Sequence, residues 1–340
     1  MRAVALDFEA RRLSLRDIPP PALTGDDQVL FQVREVGVCG TDRELAWFHF
    51  GRPPEGESFL VLGHEALGEV VEVGRMVTGL RPGDWVTPMI RRACQPPCAS
   101  CRRGRRDLCL TTQCIERGIF GGHGYFTEYA VDAAEDLVRV PPELADRAVL
   151  LEPLSVVEKV VERALRLHEG EPRSAVVVGA GTVGILAALV LQGRGLAVTT
   201  SSLEASDGPR AKLIRAAGID YSNAVARADI AIEASGTRAG ADRALACTGP
   251  LGVCAILGAA DATGVGLLRN LIIHNQTVFG SVNSSPESFR MAVEDLGRFD
   301  AGFLARLIRR VGLEDFEQSI LGPPGEHPKI VHVLDEPSGR

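Results

Sequence analysis

Residues 174–202 read SAVVVGAGTVGILAALVLQGRGLAVTTSS and contain three apolar runs, with a glycine-rich turn between the first two. The pattern predicts a short buried strand, a tight turn, a helix and a second strand. Gly179, Gly181 and Gly184 have the spacing G-x-G-x-x-G. Between a strand and a helix, such glycines permit the turn, let the backbone approach a pyrophosphate and let the helix pack on the strand. The stretch therefore predicts a Rossmann dinucleotide site.

Two groups of residues would select and hold the cofactor. Thr182 and Val183 begin the helix, whose free N–H groups would face the phosphates. At the end of the second strand, where an NAD site usually carries Asp or Glu, the sequence has Ser201 and Ser202. These hydroxyls leave room for a 2′-phosphate, with Arg210 as its nearby cation. The sequence therefore favours NADP, with NAD as the alternative.

Length and charge narrow the class of protein. The 340 residues suffice for about two domains, and the formal net charge of −7 is opposite in sign to that of most nucleic-acid-binding domains. The first residues do not resemble a secretory signal, and no apolar run has the roughly 18 residues of a membrane span. We therefore expect a cytoplasmic protein that binds neither nucleic acid nor membrane. In a reducing cytosol, clustered cysteines are expected to bind metal.

The pattern of apolar residues changes near residue 151. Before it, strand-like runs at 29–38, 68–74 and 80–90 predict a β-rich domain. After it, strands alternate with helices, which predicts a parallel sheet covered on both faces. We therefore expect an α/β protein with three parts: a β-rich catalytic domain over 1–152, a Rossmann domain with a doubly wound parallel sheet over 153–286, and a return to the first domain over 287–340.

Four cysteines lie within sixteen residues: Cys94, Cys98, Cys101 and Cys109. Four thiolates this close match a closed tetrahedral zinc site, which has no open position for a substrate. We therefore predict a structural zinc lobe over 94–109. Six arginines flank or interleave the cysteines, and we interpret them as solvated or as partners for acids across a subunit interface, because the cluster lacks aromatic residues for base stacking. They are Arg91, Arg92, Arg102, Arg103, Arg105 and Arg106.

A second set of possible zinc ligands is scattered along the chain: Cys39, His64, Glu65 and Glu152. A catalytic zinc needs about three such ligands and an open position. Each residue also has an ordinary interpretation, as a buried thiol, a hydrogen-bonded turn histidine or a carboxylate at a helix N-terminus. From spacing alone, the ordinary interpretation is favoured for each residue.

The order of the motifs identifies a family. GVCGTD, GHEALGEV, RPGDWV, the cysteine lobe, the EPL turn and GAGTVG together resemble the zinc-dependent medium-chain dehydrogenase/reductase superfamily. CGTDREL, FLVLGHEALG, the EPL…EK stretch and FGSVNSS resemble its glucose dehydrogenase branch. The resemblance spans essentially the whole chain. It implies a GroES-like catalytic domain, an inserted Rossmann domain, and an NAD(P)-dependent oxidation of an aldose at C1 to the lactone.

The resemblance also implies roles for single residues. Cys39 and His64 would be the core ligands of a catalytic zinc, with Glu65 and Glu152 completing or alternating in the coordination. Thr41 would pass a proton toward the cofactor ribose. Sugar hydroxyls would be bound by Glu116, Glu152 and Asn283. We thus expect two zinc ions per chain, a sugar substrate, and a homodimer or homotetramer that pairs through the strand-like segment 271–283.

Two departures keep alternatives open. The first cysteine gap holds three residues where the family usually has two, so Cys114 could compete with Cys94 for the structural metal. Val156 stands where the glucose dehydrogenase branch can carry an aspartate, which keeps a polyol or secondary alcohol dehydrogenase as an alternative. From a different class, a non-catalytic zinc-lobe binding protein is the remaining alternative.

Overall fold

The computed structural model describes residues 1–111, 113–224, 226–258, 268–323 and 325–334. The first part of the chain is mostly β-structure. Its strands are β1 (Arg2–Asp7), β2 (Arg12–Asp17), β3 (Gln28–Gly37), β4 (Phe59–Val61), β5 (Glu65–Val73), β6 (Trp85–Pro88), β7 (Glu116–Arg117), β8 (Gly121–Gly122), β9 (Tyr129–Ala133) and β10 (Leu137–Val140). Its short α-helices are α1 (Gly40–Ala46) and α2 (Ala99–Arg102), and 3-10 turns cover Arg106–Leu108, Ala134–Asp136, Pro142–Leu144 and Ala148–Leu150.

Strands β3 and β5 bring two distant segments of the chain together. They pair antiparallel, and their register places Gly37 opposite Glu65. The residues just beyond this pair, Cys39 and His64, therefore meet at the same end of the sheet. The alternation of buried residues such as Phe31 and Val33 holds this register, because a slip of one residue would turn them outward.

The rest of the chain alternates helices and strands. The helices are α3 (Leu151–Leu167), α4 (Thr182–Gly193), α5 (Pro209–Ala216), α6 (Arg238–Cys247), α7 (Leu268–Ile273), α8 (Pro286–Arg298), α9 (Ala301–Leu307) and α10 (Phe316–Leu321). The strands are β11 (Ser174–Val178), β12 (Ala197–Ser201), β13 (Asp220–Tyr221), β14 (Ala228–Glu233), β15 (Thr248–Ile256), β16 (Thr277–Gly280), β17 (Ile308–Gly312) and β18 (Lys329–Val333), and Leu313–Asp315 forms a 3-10 turn.

Six of these strands form a parallel sheet. Its order is β13-β12-β11-β14-β15-β16, and every neighbouring pair is parallel. This is the doubly wound Rossmann order. The strands run outward from β11 to β13 on one side of the sheet and from β14 to β16 on the other, so the order reverses between β11 and β14. Ligands of such sheets bind outside the carboxyl ends of the strands at this point. The predicted α/β fold, with a β-rich domain and a Rossmann sheet, is confirmed.

The C-terminal part of the chain joins the sheet that contains β3 and β5. That sheet has the order β10-β6-β5-β3-β18-β17, with β9 also paired to β3. Strand β18 lies antiparallel beside β3, which places Lys329 near Cys39 and Glu65. The helices α3 and α8 pack together in the larger apolar core. The exact boundaries at 152 and 286 stay a prediction.

The expectation that 271–283 is strand-like is wrong for its first residues. Helix α7 runs to Ile273, and only Thr277–Gly280 is a strand, at the edge of the six-stranded sheet. The apolar run LII suits a short helix as well as a strand, so its composition alone does not decide. None of the helices described is both long enough and apolar enough to cross a membrane.

Candidate active site

Three possible metal ligands converge at the end of β3 and β5. One ligand atom each from Cys39, His64 and Glu65 lies within 4.8 Å of the others. His64 and Glu65 are buried, and Cys39 is partly accessible. Thiolate, imidazole and carboxylate are the donors that zinc takes in catalytic sites, and three of them leave a position for water or substrate. The donor set therefore fits a catalytic zinc. Glu152 lines the same cavity but lies outside this set.

Asp42 contacts two of the predicted metal ligands, Cys39 and His64, and the sequence analysis missed this residue. It is fully buried in α1, and its Oδ2 accepts a hydrogen bond from the Cys39 backbone N–H at 2.8 Å. Its Oδ1 lies 3.5 Å from Nδ1 of His64, and neither atom has another partner among the described residues. Burial alone would lower the pKa of His64, but Asp42 and the Cys39 thiol outweigh it and hold that pKa well above its usual value. A carboxylate at Nδ1 orients the ring and leaves Nε2 for a metal.

Lys329 is the second residue that the sequence analysis missed. Its buried Nζ donates to Oε2 of Glu65 at 2.5 Å and to the carbonyl of Val38 at 3.0 Å. A Cβ on Gly37 would lie 2.3 Å from Oε2 of Glu65, so only glycine leaves room for this carboxylate. The predicted ligand Glu65 is thus held by an ion pair as well as placed near Cys39 and His64.

A cavity of about 180 Å³ opens beside the three ligands. It is lined by the other residues predicted to act on the substrate: Thr41, Glu116, Glu152 and Asn283. Val156 also lines it, one helical turn after Glu152 on α3. Burial raises the pKa of Glu152 to about 7, so at neutral pH its carboxyl group can both donate and accept hydrogen bonds. The cavity can therefore bind a molecule that carries several hydroxyl groups.

The glycine-rich turn has the shape that a pyrophosphate requires. Gly179 has a φ of +124°, a conformation that side chains rarely adopt. A Cβ on Gly184 would lie 2.1 Å from the carbonyl oxygen of Gly179, whereas a Cβ on Gly181 would meet nothing within 4 Å. The open side at Gly181 lies at the N-terminus of α4, whose N–H groups suit an anion. Val183 in the first turn of α4 also lines the cavity beside the metal ligands. These features fit a dinucleotide whose reactive end reaches that cavity.

The residues predicted to bind the cofactor do not all face the same cavity. A cavity of about 440 Å³ is lined by Gly179, Gly181, Ser201, Ser202 and Arg210. The hydroxyl of Thr182 instead donates to the carbonyl of Pro328 at 2.7 Å, so only its backbone N–H could face a phosphate.

Arg243 on α6 is the cation that the sequence analysis missed here. Its Nε donates to Oγ of Ser201 at 2.8 Å, and its Nη2 donates to the carbonyl of Asn223. Arg210 is engaged elsewhere, 3.4 Å from Glu204 and bonded to the carbonyl of Gly325. Arg210 also lines the neighbouring cavity that contains Cys39 and Lys329. Arg243 therefore contacts Ser201, the last residue of the second strand of the sheet, and lines the same cavity as Arg210.

The cysteine lobe forms the second candidate metal centre. One sulfur each from Cys94, Cys98, Cys101 and Cys109 lies within 4.8 Å of the others. Cys114 lies outside this set, so the longer first gap does not displace Cys94. Backbone N–H groups of Leu110 and Cys101 lower the pKa of Cys98 to about 6, which favours the thiolate that binds zinc. The donor set fits a closed structural zinc site.

Four of the six arginines around the lobe pair with acids of the same chain. The expectation of solvated or inter-subunit arginines is wrong for Arg91, Arg92 and Arg106, whereas Arg105 is both paired and exposed. Arg92 binds Asp132 at 2.5 Å, and Arg106 binds Asp136. Arg91 pairs with Glu116, and Arg105 with Asp107. The acids lie up to forty residues after their arginines in the sequence, so the longer pairings are visible only in the folded chain.

Comparison with known proteins agrees with this geometry. Residues 25–142 match the alcohol dehydrogenase GroES-like domain, and residues 145–321 match the family described as glucose dehydrogenase C-terminus. The chain is 36% identical to glucose 1-dehydrogenase of Methanocella arvoryzae, over 98% of this chain and 99% of that protein. It is 38% identical to glucose 1-dehydrogenase of Thermoproteus tenax, over 90% of this chain and 92% of that protein.

A solved structure extends the agreement to three dimensions. Haloferax mediterranei glucose dehydrogenase, in complex with NADP, Zn and gluconolactone, matches with a TM-score of 0.90 and 30% identity. The match covers 99% of this chain and all of that one. The chain therefore belongs to the zinc-dependent medium-chain dehydrogenase/reductase family, in its glucose dehydrogenase branch.

Proposed function

We propose that the protein oxidises the C1 hydroxyl of D-glucose or a related aldose to the lactone, with NADP⁺ or NAD⁺ as the hydride acceptor. One observation carries the proposal: Cys39, His64 and Glu65 converge on a cavity that Val183, in the first turn of α4, also lines. A metal site and a nucleotide site thus meet at one small space. The reaction converts one aldose and NAD(P)⁺ to one lactone, NAD(P)H and a proton.

The chain would contribute binding, orientation and a proton path. When bound, zinc supplies a Lewis acid and the nicotinamide supplies the hydride acceptor. Thr41, which lines the cavity beside Cys39, would pass the proton of the C1 hydroxyl toward the cofactor ribose. Glu116, Glu152 and Asn283 would bind the remaining hydroxyls. A site that pairs several hydroxyls rejects analogues that lack them much more strongly than an apolar pocket does.

Arg243, Ser201 and Ser202 support NADP as the preferred cofactor. A 2′-phosphate would meet a guanidinium and the Ser202 hydroxyl there, and the second strand ends in no acid that would repel it. The hydroxyl of Ser201 is already used, because it donates to the carbonyl of Ser222. Glu204 lines the same cavity and could accept a bond from the 2′-hydroxyl of NAD. We therefore propose use of both cofactors, with NADP preferred.

The test compares D-glucose with sorbitol, using the near-ultraviolet absorbance of the reduced nicotinamide. We expect reduction of NADP⁺ with glucose, loss of the rate after zinc chelation, and recovery with added zinc. His64→Ala should abolish turnover, because it removes a core ligand. Activity on sorbitol alone would refute oxidation of an aldose and favour a polyol dehydrogenase, for which Val156 in the cavity wall would be the reason.

We also propose a homodimer that pairs through β16, at the edge of the six-stranded sheet. Val278 on this strand is exposed, as is Val282 just beyond it, and an unpaired apolar edge invites a second strand. A cytoplasmic location suits the eight free cysteines, because a reducing compartment would keep the five candidate zinc ligands among them from forming disulfides. Sedimentation would give the oligomeric state, and a charged residue in place of Val278 should produce monomers.

A further inference from the structure

A buried ion pair connects the cysteine lobe to helix α3. Asp107, in the 3-10 turn before Cys109, has no exposed side-chain surface. Its Oδ2 lies 3.0 Å from Nζ of Lys159, which is itself only 7% exposed. Arg105 binds the same carboxylate from the lobe side at 2.9 Å. Removing Lys159 would leave the buried Asp107 with Arg105 as its one charged partner among the described residues, so the contact with Lys159 ties the lobe to the helix.

Lys159 also holds the segment that carries a predicted sugar ligand. Its Nζ donates to the carbonyl of Val282 at 2.9 Å. Val282 and Asn283 both line the cavity beside the metal ligands. Asn283 has a φ of +61°, in the left-handed region that residues other than glycine seldom adopt. Such a conformation persists where surrounding contacts hold it, and the bond from Lys159 to the preceding carbonyl is one of these contacts.

A second side chain connects the same part of the lobe to Glu116. Nη1 of Arg91 donates to the backbone carbonyl of Asp107 at 3.1 Å. Its Nε and Nη2 donate to Oε1 of Glu116 at 2.9 and 2.6 Å. Both of these bonds engage one oxygen, and Oε2 accepts none from the described residues. Glu116 is thereby fixed in the wall of the cavity with an oxygen left for a ligand.

We propose that the cysteine lobe positions the sugar-binding residues, with Asp107 as the common anchor and Lys159 as a positioning residue for Asn283. Two of the three residues expected to bind sugar hydroxyls are connected to Asp107 through a single side chain. Arg91 connects it to Glu116, and Lys159 connects it to the carbonyl that precedes Asn283. The closed zinc site thus determines how tightly the sugar binds, although it cannot contact the sugar. This inference rests on the proposed function, because it concerns the affinity of that same site for an aldose.

The experiment measures binding without turnover. D-glucose is titrated into the zinc-loaded, full-length enzyme with NADPH bound, a complex that cannot oxidise the sugar, and protein fluorescence reports binding. Lys159→Met keeps the apolar stem and removes both bonds of Nζ. We expect the Kd for glucose to rise about 2- to 10-fold, the loss typical of one neutral hydrogen bond, here the bond between the sugar and Asn283. The Kd for NADPH should stay within about 2-fold, because no contact of Lys159 reaches the nucleotide cavity.

Two further variants separate positioning from a general loss of structure. Arg166→Met, on the exposed face of the same helix, should leave both Kd values unchanged. Asn283→Gly removes the amide but keeps a backbone that adopts positive φ without strain. If Lys159 acts through Asn283, adding Lys159→Met to Asn283→Gly should weaken glucose binding little further. Independent effects that multiply would overturn the link to Asn283.

The remaining outcomes are also decisive. Should Lys159→Met fail to fold, Asp107→Asn tests the same anchor with a smaller change, and it should also weaken glucose binding. Binding equal to wild type in the folded variant would overturn the inference alone. Absence of glucose binding by the wild-type enzyme would overturn the proposed function, and the inference with it.

Discussion

Replacing Arg243 by glutamine should change the choice of cofactor without harming the enzyme in other respects. A guanidinium has five N–H donors. Arg243 uses one on Ser201 and one on Asn223, so three have no bond among the described residues. Arg243 lines the nucleotide cavity in which we propose that the 2′-phosphate binds. A hydrogen bond to a charged group contributes about 1.5–3 kcal/mol net, so the Kd for NADP⁺ should rise about 10- to 150-fold.

The assay separates the 2′-phosphate from the rest of the cofactor. Titration calorimetry with 2′,5′-ADP and with 5′-AMP should show that Arg243→Gln weakens only the first. NAD⁺ lacks the phosphate, so its Kd should change by less than about 2-fold. Arg210→Gln should weaken both cofactors, since Arg210 also lines the cavity at the start of α4. Lys212→Gln, which removes an exposed charge outside the cavity, should weaken neither.

Equal losses for the two cofactors in Arg243→Gln would refute this reasoning. They would mean that Arg243 supports the cavity wall rather than the 2′-phosphate. An unchanged Kd for NADP⁺ would return the role to Arg210, where the sequence analysis placed it.

Three other substitutions test separate parts of the structure. Gly184→Ala should abolish cofactor binding and lower Tm, because its Cβ would meet the carbonyl of Gly179 at 2.1 Å; wild-type binding would contradict the assigned turn. Glu158, beside Asp295, has its pKa raised by burial and by that carboxylate from 4.5 to about 8. Folded Glu158 therefore binds its proton more tightly than unfolded Glu158 does. As the pH rises from about 5 to 8, the unfolding free energy should fall by up to about 1.4 kcal/mol per pH unit. Glu158→Gln should flatten that slope in urea titrations at several pH values, and an unchanged slope would reassign it. Cys101→Ser should remove one of the two zinc ions and lower Tm, as measured by metal analysis and calorimetry; two ions retained would contradict the four-thiolate site.

Local patterns were enough to predict the parts of the site that lie at the ends of strands and at tight turns. The glycines of the nucleotide turn lie within six residues of one another, and their spacing by itself predicts a pyrophosphate-binding turn. The four lobe cysteines are similarly close in sequence. For Cys39 and His64, spacing alone favoured ordinary roles, and only the ordered motifs of the family predicted a shared metal site. The register of β3 and β5 now supplies the physical reason, since it pairs the strand residues next to each ligand.

The supporting residues could not be predicted in this way. Lys329 reaches Glu65 across 264 positions of sequence, and Arg243 reaches Ser201 across 42. A lone basic residue on a helix or strand has no pattern that distinguishes such a role from a solvated position. Asp42 is different, because an acid three residues after Cys39 at a helix start is a local capping signal. Its second contact, with His64, depends on the folded sheet.

The central claim is that hydride leaves C1 of an aldose at the site built by Cys39, His64 and Glu65. The most direct test supplies glucose deuterated at C1, with NADP⁺, to the zinc-loaded enzyme and follows the label by mass spectrometry. We expect the deuterium to appear in the reduced nicotinamide and to be absent from the gluconolactone, with a slower rate if hydride transfer limits turnover. Deuterium that stays in the sugar product while NADP⁺ is reduced would place the oxidation at another carbon and contradict the account.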